Sequence, residues 1–246
     1  MFDHIDTVRI EVNKRFPFRS ELSDTIAQKF REEWTYHTNA IEGNTFTFQE
    51  TAYFLREGLT IKGKSLREHQ EIINHADAID YLHEAVKEED LTEQLVKDFH
   101  AIQFQGVRGI KFNPGTYKKY DNYVLTLSGN RYHYTPAIKV PLEMKQLIDW
   151  YKLKKTQVHP VRLAAVIHHK LSAIHPFTDG NGRVSRLIMN FILIKNGFPP
   201  AIIRNENRED YYTALEQGDK GKLQPFIKLI TTEVMRSLEF MIKQND

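Results

Sequence analysis

The chain carries two helical stretches joined by a charged, glycine-bearing loop, and this arrangement constrains the fold more than any other feature. From Val161 to Ile174, apolar residues recur at helical spacing (Leu163, Ile167, Leu171, Ile174). Pro160 suits the first turn of that helix. Pro176 disfavours the α conformation at His175, which predicts the helix end there. Downstream, Leu187 to Ile194 is apolar almost all round, and Gly197 with Pro199-Pro200 supplies its stop. Between the two runs His175-Pro176-Phe177-Thr178-Asp179-Gly180-Asn181-Gly182-Arg183-Val184-Ser185-Arg186. It reads as a loop between two buried helices, with Asp-Gly-Asn-Gly-Arg at the N-terminus of the second.

That placement has a chemical meaning. A helix N-terminus offers free backbone N–H groups and the positive end of the dipole, which suits an anion. Two glycines let the backbone approach a ligand with no Cβ in the way. Arg183 and Arg186 are three apart and can project near the same end of the helix. Asp179 is a hard oxygen ligand suited to a magnesium ion that already carries phosphate oxygens. His175 is a base of suitable pKa at the rim, read here as exposed. Together these point to phosphoryl-group chemistry on a nucleotide. The phosphate loop G-x-x-x-x-G-K-[ST] is absent, so a P-loop reading fails.

The run resembles the signature of the Fic family, H-P-F-x-[DE]-G-N-G-R-x-x-R, at every defined position. With each residue type at roughly one in twenty, a chance match is on the order of 10⁻⁹. The resemblance implies an all-α fold: a Fic-type helical domain with a β-hairpin flap and an N-terminal inhibitory helix. It implies transfer of AMP from ATP to a hydroxyl of a target protein, with magnesium. By the same resemblance His175 takes the proton of the attacking hydroxyl and Asp179 holds the metal. Gly180, Asn181, Gly182 and Arg183 cradle phosphates, and Arg186 clamps the γ-phosphate.

Upstream, Leu22, Ile26, Phe30, Trp34 and Ile41 trace a helical stripe from Ser20 onward, with Gly43 as the stop. Glu42 stands at the C-terminal end of that helix, where the dipole disfavours a negative charge. On the helix argument alone it is a solvated surface residue. The string Thr38 to Gly43, however, resembles the Fic inhibitory helix, [S/T]-x-x-x-E-[G/N]. That resemblance implies that Glu42 reaches Arg186 and occupies the place of the ATP γ-phosphate. Residues 1–60 then form an N-terminal helical segment and 61–246 the catalytic domain.

Thr47 to Glu50 and Ser65 to Glu68 are capping boxes, opening a short helix that ends near Gly58 and a long one. Thr92 begins another, and His75, His83 and His100 read as core-rim or surface residues within these helices. Tyr123 to Leu127 is a strand run, Ser128-Gly129-Asn130 a turn, and Arg131-Tyr132-His133-Tyr134 a return. On the residues this is a structural hairpin. The resemblance makes it the flap that lies over the nucleotide, contributing Arg131, Tyr132, His133 and Tyr134, and that binds a target segment by strand addition. Gly115-Thr116-Tyr117-Lys118 resembles the family's G-x-Y-R with lysine for arginine, not an equivalent exchange. Leu142 to Leu153 resumes helical spacing. His168 and His169 point to different faces of a helix and no H-E-x-x-H occurs, which argues against zinc. Tyr211, Tyr212 and Asp219 resemble the family's adenosine-contacting segment, where asparagine is frequent at the last position. A final amphipathic helix runs from Pro225 to Met241.

Lys and Arg total 34 against 32 acidic residues, so net charge gives no argument for nucleic acid or an acidic membrane as partner. There are no cysteines, which excludes disulfides and thiolate chemistry. The first residues are too charged for an ordinary signal peptide and no apolar run approaches the ~20 residues of a membrane span, so the expected location is cytoplasmic. The motifs do not fix the oligomeric state, and a homo-oligomer is allowed. Two other functions use the same residues: removal of AMP from a modified protein, with Glu42 orienting a water, and a nucleotide-sensing module. Intact His175 and Asp179 argue against the module, since a pure binder needs neither base nor metal ligand.

Overall fold

The computed structural model describes residues 2–15, 20–125, 129 and 131–244. Five helices precede a hairpin: α1 (Phe2–Arg15), α2 (Ser20–Ile41), α3 (Phe48–Glu57), α4 (Leu66–Glu88) and α5 (Glu93–Gln103). Strands β1 (Tyr123–Leu125) and β2 (Arg131–His133) follow, then α6 (Val140–Lys154), α7 (Pro160–Ile174), α8 (Asn181–Lys195), α9 (Arg208–Asp219) and α10 (Gln224–Lys243). The fold is a helical bundle with, among the described residues, one small hairpin, the all-α architecture expected.

Helix α8 is the axis. Its all-round apolar stretch has one physical solution, burial on every side. Leu187, Ile188, Met189, Phe191, Ile192 and Leu193 have no exposed surface. Each such side chain contributes roughly 1.5–3 kcal/mol by leaving water. Helix α7 packs along α8, and α2, α4 and α5 close its other sides. The positive end of α8 is thereby fixed beside the end of α2.

Local signals set most boundaries. The hydroxyls of Thr47 and Ser65 accept the backbone N–H of Glu50 and Glu68, whose carboxylates accept the N–H of Thr47 and Ser65 in return. Gly58 ends α3 in the left-handed conformation. In the α2 stripe Ile26, Trp34 and Ile41 are buried, while the side chain of Leu22 lies outside the described residues.

Helix α6 covers the span from Leu142 to Leu153 read as helical; those two residues are 57% and 60% exposed, and its buried face is Val140, Met144, Leu147, Ile148 and Tyr151. The structure corrects the reading of two histidines. His75 and His100 belong to the interior, whereas His83 is exposed. His75 meets the edge of Trp34 and faces the Thr35 hydroxyl, and His100 stacks on Phe177. In the hairpin Tyr123 pairs with His133, Val124 with Tyr132 and Leu125 with Arg131. Of the residues expected to extend the first strand and its turn, Thr126, Leu127, Ser128 and Asn130 lie outside the described residues. No helix among the described residues is long and apolar enough to cross a membrane.

Candidate active site

The loop between α7 and α8 is shaped by its own residues. Among the described residues His175 is the one non-glycine with positive φ, at 51°. Pro176 disfavours the α region at His175, and the left-handed turn carries the chain out of the helix while His175 N–H still donates to Leu171. Phe177 is fully buried, and the Asn181 amide closes the loop on it. Asn181 Oδ1 accepts from Phe177 N and Nδ2 donates to Phe177 O, both at 2.9 Å. Beneath lies His100. Gly115 N–H donates to its Nδ1 at 2.8 Å, so the ring proton is on Nε2 and is donated to Asp179 O at 3.2 Å. Burial lowers the pKa of His100 to about 4 and keeps it neutral. Gly180 has φ +76°, and a Cβ there would stand 2.6 Å from the Phe104 ring.

At the N-terminus of α8 sits an ion pair. Arg186, 2% exposed, donates from Nε to the Thr38 hydroxyl at 2.6 Å and from Nη2 to Thr38 O at 3.2 Å. The same Nη2 reaches Glu42 Oε1 at 2.6 Å. A Cβ on Gly182 would collide with that carboxylate, so the glycine leaves the seat in which Glu42 rests. Desolvation acts to raise the pKa of Glu42, but Arg186, with Arg183 and Arg208 behind it, outweighs it and holds the carboxyl below its usual range. Arg208 caps the arrangement by donating to Ile41 O at 2.9 Å, at the C-terminus of α2, while its guanidinium lies over Tyr212.

These groups face a cavity of about 380 Å³, a size that accommodates a small ligand. Its lining includes the Glu42–Arg186 pair with Asn181 and Gly182, the side chains of Tyr132, Tyr134, Tyr212, Leu215 and Asp219, and His175. Tyr211 is buried, its hydroxyl between Arg186 and Nε2 of His168. Asp219 pairs with His169 at 3.0 Å, and after burial its carboxylate acts to raise the pKa of Tyr132.

Five residues named from the sequence lie outside the cavity lining: Arg131, His133, Asp179, Gly180 and Arg183. Strand alternation explains two of them, because Tyr132 and Val124 line the cavity while Arg131 and His133 group with Tyr123 on the other face. Arg183 lies over Phe104 with Nη1 3.8 Å from Glu71. Asp179 is 47% exposed, with Oδ2 3.5 Å from Arg67. His175 is a correction: it is half-buried, stacked on Tyr134 with ring centroids 3.6 Å apart. Burial, then the charge of Lys118, lowers its pKa to about 4. Sequence reasoning missed Arg208, His169 and the role of Thr38 as a ligand of Arg186.

Residues 90–193 match the Fic/DOC family. The crystal structure of a Fic domain containing signaling protein from Bacteroides thetaiotaomicron superposes with a TM-score of 0.92 at 31% identity, over 98% of this chain and 96% of that one. The chain belongs to the Fic family. The protein adenylyltransferase Fic of Nematostella vectensis is 36% identical over 208 residues, 83% of this chain and 47% of the relative. This Fic chain thus spans under half the length of the curated relatives it matches first. A structure of Fic-1 (residues 134–508) from Caenorhabditis elegans superposes with a TM-score of 0.87 at 29% identity, over 98% of this chain and 70% of that one.

Proposed function

We propose that this Fic protein is an adenylyltransferase that moves AMP from ATP to a hydroxyl of a target protein, with residues 1–60 as a brake on 61–246. The observation that carries the proposal is the Glu42–Arg186 pair over Gly182. A carboxylate occupies an anion seat built from a helix N-terminus and a guanidinium, next to an aromatic chamber with a histidine on its wall. The tyrosines of the chamber take the base by stacking, and the seat takes phosphate once Glu42 leaves.

The backbone of Ser172 favours the protonated His175 ring, and in this proposal a nitrogen of that ring accepts the proton. As the target oxygen attacks the α-phosphorus, its proton passes to that nitrogen. The bond to the bridging oxygen breaks, and pyrophosphate departs with the electron pair. Amides at the start of α8 and the Arg186 guanidinium take up the developing charge. Magnesium fits Asp179, whose carboxylate is open to solvent and steadied by Gly180 N–H on Oδ1 at 2.6 Å. Among the described residues there is no group of three or more acidic or histidine side chains that could hold a metal. That suits an ion arriving with the nucleotide, which needs one or two carboxylates besides phosphate oxygens. Bound there, it would neutralise phosphate charge. The target segment adds to the edge of the flap hairpin.

Intact-mass spectrometry of Glu42→Gly protein after incubation with ATP and magnesium tests the reading. The expected result is an added AMP that depends on His175; no adduct on this protein or on any protein of a lysate counts against it. A second reading has support from the Glu42 carboxylate facing the cavity, where it could orient a water to remove AMP from a modified protein. Under that reading Glu42→Gly loses de-modification.

A further inference from the structure

A closed circuit of contacts joins the flap to the loop that carries His175, and its side-chain link is a lysine. Lys118 N–H donates to Pro176 O at 2.8 Å, next to His175. Lys118 Nζ donates to Asn122 Oδ1 at 2.6 Å, just before β1. Asn122 O accepts Tyr134 N–H at 3.3 Å, just after β2. The Tyr134 ring then stacks on His175 and closes the ring. The Lys118 ammonium also stands 5.8 Å from the Tyr134 centroid.

Lysine is a costly choice for this place. The residue is 5% exposed, and among the described residues its side chain makes no ion pair within 4.0 Å. Burial lowers the pKa of its ammonium to about 8, with Asp121 opposing. A neutral donor could hold Asn122 equally well, so the charge needs a reason. The charged groups acting on His175 are Lys118, against protonation, and Glu42 and Asp179, in favour. Bound nucleotide would add negative charge on the same side as the two carboxylates and draw a proton onto the ring. A fixed cation opposes that.

We propose that Lys118 is a positioning residue for the base: it pins Tyr134 onto His175 and supplies the positive charge that keeps the imidazole neutral beside a polyanion. The catalytic consequence rests on the adenylyltransferase reading; the physical effects do not.

Two variants separate tether from charge. Lys118→Met removes both, and Asn122→Ala removes the tether alone. Nitrogen-15 NMR titration of His175, with and without an unhydrolysable ATP analogue, reads the charge; amide hydrogen exchange at Tyr132 to Tyr134 reads the tether. Lys118→Met should raise the His175 pKa by at least about half a unit and speed flap exchange by roughly tenfold. Asn122→Ala should speed exchange while leaving the titration in place, and Lys118→Arg should keep the titration of the parent. An unchanged titration and unchanged exchange in folded Lys118→Met protein overturn the proposal. Should that variant not fold, unchanged exchange in Asn122→Ala overturns it. Neither readout requires turnover, so absence of AMP transfer would fail the functional reading without touching this one.

Discussion

Glu42 Oε1 lies 2.6 Å from Nη2 of Arg186, across the bare α-carbon of Gly182 at the start of α8. The partners are 144 residues apart in the chain, and each compensates a cost of the other. Glu42 follows the C-terminus of α2, the wrong end of a dipole for a carboxylate. Arg186 is buried, a poor place for an unpaired cation. The Thr38 hydroxyl and carbonyl fix the guanidinium plane, so the end of α2 supplies both restraint and counter-ion.

Truncation at the base should separate chemistry from binding. His175→Ala removes a half-buried ring that packs on Tyr134, so a modest loss of stability is expected. Nucleotide binding by calorimetry should persist, while transfer falls by about 10²–10⁴. Transfer at the parental rate would remove His175 from the base role.

Asp179→Ala should weaken magnesium-dependent nucleotide binding and abolish transfer, because the departing pyrophosphate loses its counter-ion. Excess chelator should reproduce the effect in the parent. Full transfer in chelator would take Asp179 out of the metal role.

Gly180→Ala should be destabilising without touching any cavity-lining group. The new methyl meets the Phe104 ring at 2.6 Å and the backbone holds φ at +76°. The cost of overpacking and a left-handed alanine is about 1–3 kcal/mol, a fall in Tm of roughly 2–4 °C per kcal/mol for a domain of this size. An unchanged melting curve would mean that the loop relaxes freely.

Stability should fall in mild acid. Burial lowers the pKa of His37 and His100 from 6.5 to about 4, and those of His75 and His168 well below 6.5. The unfolded chain takes up protons that the folded one refuses, so this stability is full above pH 6.5 and is lost as pH falls toward 4. His37 and His100 each contribute on the order of 3 kcal/mol across that window. Glu42, whose pKa is lowered from 4.5, acts in the same direction, losing its contribution as pH falls below that value. Calorimetric scans across the window should show Tm falling steeply; a flat Tm would mean these rings titrate as in water.

What the chain states locally could be read without coordinates. The boxes at Thr47 and Ser65 act over three residues, and the burial of α8 is written in its lack of any polar face from Leu187 to Ile194. Contacts that depend on distant segments could not be read: the Tyr134 ring over His175, or Arg208 on the carbonyl of Ile41. Two further features are local enough to be legible in the sequence. Strand alternation at Arg131 to Tyr134 separates Tyr132 from its two neighbours. Ile5, Val8 and Val12 mark the inner face of α1, which docks on α10.

The central claim is that Glu42 restrains transfer by holding the seat that Arg186 offers to phosphate. The direct measurement is incorporation of labelled AMP by the parent, Glu42→Gly, Arg186→Ala and the double variant, at one concentration of ATP, magnesium and protein. Glu42→Gly should rise well above the parent, Arg186→Ala should stay low, and the double variant should match Arg186→Ala, a non-additivity expected of residues in contact. Equal incorporation by the parent and Glu42→Gly would contradict the claim and leave Glu42 a structural partner of Arg186 alone.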